Sequence, residues 1–150
     1  MEMNRENSKV AIIGMACRTP GANQYSEFWE LLRRGEVLTG PWPKSRRILS
    51  NVWSKLTDGT DATPENYETV MSGGYLKNIA DFDNRLFGLS PKEARVIDPQ
   101  QRMLMEESWL ALHDAGIDPR GLVGADVGVI MGVCAPDYSL IGHEAGPQTG

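Results

Sequence analysis

Cysteine and histidine are nearly absent from this 150-residue chain, which has two of each. Cys17 and Cys134 lie far apart, so they read as reduced, buried thiols of a cytoplasmic protein rather than a disulfide. A metal site needs ligands at short spacing, and these two cysteines with His113 and His143 offer none. No apolar run approaches the roughly 20 residues of a membrane span. The opening Met1-Glu2-Met3-Asn4-Arg5-Glu6-Asn7-Ser8-Lys9 is polar and has no apolar centre, which excludes a secretory signal. A basic excess is missing too. Fifteen basic against twenty acidic side chains leave a net charge of -5, which opposes nonspecific nucleic-acid binding and an anionic membrane surface. What remains is ordinary globular usage, 41% hydrophobic and 23% charged, enough for one domain or one piece of a larger one.

Val10 to Ala16 is a continuous apolar run, the pattern of a strand covered on both faces. Asn23 can cap a helix running to about Arg34, with Gly35 as its stop. In that helix Tyr25, Phe28, Trp29 and Leu32 share one face, read as core packing. From Gly40 to Ser72 the chain is polar and weakly periodic, although Ile48 to Leu56 could form a short helix. Its basic group Lys44, Arg46 and Arg47 reads as solvated surface. Gly73-Gly74 mark a turn before the short apolar pieces Tyr75-Leu76 and Phe82.

Ser90-Pro91-Lys92-Glu93 has the form of a capping box, with proline at the first helical position. Asp98-Pro99-Gln100-Gln101 repeats that logic, predicting a longer helix from about Pro99 to Ala115 that ends at Gly116. Apolar side chains cover most of its circumference, so it needs partners on several sides. Ser108, Ala111 and Ala115 are small enough to admit another helix closely. Arg102, Glu106 and His113 form a narrow polar stripe, where His113 reads as a partly exposed, hydrogen-bonded residue rather than a base. Asp126 to Val133 is a second strand of the buried type, and Ala135 to Gly150 is loop-like. Two strands and three helices this apolar make an unfinished unit.

General motifs of chemistry are missing. Gly14 and Gly21 follow a strand without G-x-G-x-x-G spacing, and there is no P-loop lysine. Cys17 could be a nucleophile only beside a base or cation. Arg18 is adjacent but no histidine is near, so a structural thiol is the reading preferred there, as at Cys134.

Taken together, VAIIGMACRTPGA (Val10 to Ala22), FWELLRRG (Phe28 to Gly35), GGYL (Gly73 to Leu76), FDNRLFGLSPKEARVIDPQQRMLMEESWLALHDAGIDP (Phe82 to Pro119) and DVGVIMG (Asp126 to Gly132) resemble the N-terminal part of a β-ketoacyl synthase domain of the modular type I polyketide synthase kind. The SPKEA and DPQQR blocks are the most specific. Thr19, Leu86 and Leu110 depart from the usual pattern, where Phe, an aromatic and Glu are common, at the level of packing or surface. The resemblance implies an α/β fold: the N-terminal part of a thiolase-like layered α-β-α-β-α architecture, incomplete in this chain. It also implies a leader over 1–8 and a ketosynthase portion over 9–150, truncated before the catalytic cysteine.

In that family a Thr-Ala-Cys-Ser-Ser type motif carries the nucleophile, and two histidines follow it. The resemblance therefore places no catalytic residue, no cofactor-binding residue and no metal ligand before Gly150. Cys17 matches the structural cysteine of the family's GMAC motif. The complete domain is an acyltransferase of polyketide biosynthesis, performing a decarboxylative Claisen condensation of acyl and malonyl-type units. Those units ride on the phosphopantetheine arm of an acyl carrier protein. The implied partners are that carrier and a ketosynthase homodimer mate, with no nucleic acid and no membrane. If Met1 is the true start, acyl chains arrive from a carrier on another protein. Two alternatives stay open: a half-domain interaction module that binds a ketosynthase or an acyl carrier protein, and a self-sufficient α/β binding protein.

Overall fold

The structure is a computed structural model and describes residues 9–41, 43, 72–134 and 138. The chain divides into two compact units, Met1–Ala16 with Ile79–Gly150, and Cys17–Asn78.

In the second unit, helix α1 spans Tyr25–Arg34. It starts one residue later than the sequence predicts. Gln24 is the capping position in extended backbone, and its side chain accepts no cap bond. Asn23 instead donates its backbone N–H to Glu27 Oε2 at 2.9 Å, so an acidic side chain satisfies the amide just ahead of the helix. The helix ends in a Schellman pattern. Gly35 N–H bonds Leu32 O and Glu36 N–H bonds Leu31 O, with Gly35 at a left-handed φ of 64°.

The inward face of α1 also differs from the expectation. Trp29 is 60% exposed, and Tyr25 and Leu32 are exposed too, whereas Phe28 and Leu31 are half-buried. A Leu31 methyl and both Leu38 methyls lie 3.2–3.4 Å from where a β-carbon on Gly21 would stand, and Gly21 is itself left-handed at φ 82°. Beside it, Thr19 and Ala22 exchange both backbone hydrogen bonds, at 2.9 and 3.1 Å. Ala22 is 1% exposed. The helix therefore brings Leu31 to this turn, while Tyr25, Trp29 and Leu32 stay exposed. Gly40 and Gly73 form an antiparallel bridge. Lys44, Arg46, Arg47 and the Ile48–Leu56 segment lie outside the described residues.

In the first unit, helix α2 spans Pro91–Val96 and α3 spans Pro99–Asp114. The predicted capping box is present. Ser90 Oγ accepts the Glu93 N–H at 3.2 Å, and Glu93 Oε2 accepts the Ser90 N–H at 2.8 Å. The Asp98 carboxylate accepts the Gln100 N–H at 2.8 Å. Helix α3 closes as α1 does: Gly116 N–H bonds His113 O, Ile117 N–H bonds Leu112 O, and Gly116 has φ 70°. Pro119–Leu122 is a short 3-10 helix that contacts α3, its first turn capped by Asp118.

Neither predicted strand is a strand here. Val10–Ala16 and Asp126–Val133 carry no ladder assignment, and Val10 (91% exposed) and Ile130 (99%) stand in the open. The reason is physical: a strand's hydrogen bonds lie in its neighbour, and among the described residues the two isolated bridges both fall in the other unit. Ala94 is the one residue of this unit that is buried among those described.

Candidate functional site

The chemistry-bearing cysteine and histidine side chains that the structure describes are Cys17, Cys134 and His113. Cys17 is half-buried in the Cys17–Asn78 unit, and Cys134 is exposed at the end of the second apolar run. His113 is exposed in the last turn of α3, in keeping with the polar stripe. His143 lies outside the described residues. Among those described, no group of three or more His, Cys, Asp or Glu side chains could hold a metal ion, and no helix is long and apolar enough to cross a membrane.

The geometry instead concentrates in the corner formed by 79–90, α2 and α3. Asp83 Oδ1 accepts the backbone N–H groups of Arg85 and Leu86, both at 3.1 Å. Asn84 closes the turn twice: its Nδ2 donates to Leu89 O at 2.6 Å, and its O accepts the Leu89 N–H at 2.8 Å. Phe82 stacks on Phe87 with centroids 5.2 Å apart, and Phe87 meets Trp109 of α3 edge-on at 6.2 Å. Those are favourable aromatic geometries. From α3, Arg102 Nη1 reaches Ala80 O at 3.4 Å, and Tyr138 Oη donates to Arg95 O at 2.9 Å.

Electrostatics reinforces the caps. The Ser90 hydroxyl, and secondarily its backbone N–H, lower the Glu93 carboxyl below its usual value. Arg120 lowers Asp118 through side-chain and backbone hydrogen bonds, and Asp118 raises Arg120 in return. Both pairs are fully exposed, so these are local effects.

A second close contact was only half visible in the sequence. The small residues Ala111 and Ala115 of α3 and its C-cap do admit a close neighbour, but the neighbour is an extended segment, not a helix. A β-carbon on Gly14 would collide with Ala111 O and lie 2.8 Å from Ala115 Cβ. Met15 N–H donates to Asp114 Oδ2 at 2.9 Å beside it. No periodic pattern signals this contact; the signal available was the lone Gly14 inside an apolar run.

The motifs SPKEA and DPQQR are thus folding devices: a capping box, a second cap, and an arginine tying α3 to the preceding turn. Comparisons with known proteins identify the family. Residues 7–149 match the family "Beta-ketoacyl synthase, N-terminal domain". The chain belongs to that family. It is 44% identical over 137 residues to erythronolide synthase EryA2 of Saccharopolyspora erythraea, covering 89% of this chain and 4% of that protein. It is 42% identical over 134 residues to the pikromycin polyketide synthase component PikAII of Streptomyces venezuelae, again 89% and 4%. Its structure is similar to the module 6 ketosynthase of the Bacillus subtilis bacillaene synthase, with TM-score 0.58 and 32% identity over 75% of this chain and 18% of that one. An oxazolomycin ketosynthase domain of Streptomyces albus matches equally, with TM-score 0.58 and 33% identity over 75% and 19%. The chain is therefore a ketosynthase N-terminal portion, similar over three quarters of its length to part of these domains. It spans about 4% of the curated polyketide synthases and under a fifth of the solved ketosynthase chains.

Proposed function

We propose that 1–8 is a short polar leader and 9–150 the portion of a modular type I ketosynthase that lies ahead of its nucleophilic cysteine, and that these 150 residues alone transfer no acyl group. The observation that carries this reading is the family match over 7–149 combined with the cap-and-arginine corner at 83–102. In the complete domain an acyl group leaves the phosphopantetheine sulfur of an acyl carrier protein and forms a thioester with the nucleophilic cysteine. A malonyl-type unit on a carrier then loses carbon dioxide, and its α-carbon attacks that thioester, expelling the cysteine thiolate. Histidines and backbone amides stabilise the oxyanion charge. The acyl carrier protein and a second ketosynthase are the partners, and the cytoplasm is the compartment.

The contribution of this portion is positional. Its caps and aromatic corner hold α2 and α3 in place, while Cys17 and Cys134 act as plain thiols. Incubation with an acyl-phosphopantetheine thioester, followed by intact mass measurement, tests this. No stable mass gain is expected, and lasting acylation of Cys17 or Cys134 overturns the reading. Sequencing the gene past codon 150 gives a second check: a continuing frame with a Thr-Ala-Cys-Ser-Ser type motif supports it.

A further inference from the structure

We draw no further inference here: the strongest candidate, the exposed face that Tyr25, Trp29 and Leu32 form along α1 in the Cys17–Asn78 unit, carries nothing, because nothing in the structure shows what covers it.

Discussion

Gly14→Ala tests whether the 9–16 segment is held against α3 by backbone contact. The added β-carbon would lie 2.8 Å from Ala115 Cβ and 2.9 Å from Ala115 N, and would press on Ala111 O. Two of these three are main-chain atoms of α3 and its C-cap, which cannot rotate away. Carbon atoms rest about 3.5–4.0 Å apart, so the segment must lift by roughly 1 Å. That movement carries Met15 N–H away from Asp114 Oδ2, now 2.9 Å distant, and out of hydrogen-bonding range.

Overpacking costs about 1–3 kcal/mol. The exposed hydrogen bond adds no more than about 1 kcal/mol. Loss of glycine's freedom in the unfolded chain offsets about 0.4–1 kcal/mol. A net loss of about 2 kcal/mol results, equivalent to roughly a 30-fold fall in exchange protection of the Met15 amide. Gly128→Ala and Gly132→Ala are the controls, because nothing lies within 4 Å of either added carbon. They should stay within about 0.5 kcal/mol of the parent. Hydrogen exchange read by mass spectrometry or NMR needs no cooperative global transition, which suits a chain with so many open apolar residues. Unchanged Met15 protection in Gly14→Ala would refute the contact.

Ser90→Ala should weaken α2 by about 1 kcal/mol through loss of the cap, seen as reduced helical chemical shifts over 91–96. Because the Glu93 carboxyl is held below 4.5 by Ser90, its contribution is fully present above the unfolded value, and it fades as pH falls through the lower folded value. Fraying of α2 should therefore begin below pH 4.5, and a Glu93 carboxyl seen by NMR to titrate at or above 4.5 contradicts the box. Gly35→Ala meets open space but keeps φ 64°, so it should cost α1 about 1–2 kcal/mol of left-handed strain, read as loss of helicity at Arg33 and Arg34. Phe87→Leu keeps apolar volume but removes the stacked and edge-on rings, and should lose about 0.5–1.5 kcal/mol per aromatic pair, measured by exchange along α3.

The sequence marked a family rather than a site. Motif order marked the family, and the two cysteines and two histidines read as bystanders before any geometry was known. Of the described ones, Cys17 is half-buried, and Cys134 and His113 are exposed. The face of α1 was misread because helical spacing ranks faces by apolar area, while packing depends on what lies opposite. Opposite Leu31 is the tight Thr19–Ala22 turn, and its glycine leaves room for the Leu31 methyl.

By itself, the sequence determined the helix starts at Ser90 and Asp98 and the stops at Gly35 and Gly116, because each is a bargain between residues at most five apart. The capping oxygen, the fixed φ of proline and glycine's left-handed backbone need nothing from the rest of the chain. Tertiary structure decided the rest. It brought Gly14 onto Ala111 and Ala115 across nearly a hundred residues, seated Trp109 against Phe87, and left the 10–13 and 127–133 runs open. An apolar run specifies that it must be covered, but its hydrogen bonds and its covering layers belong to other segments, so only their arrival makes it a strand.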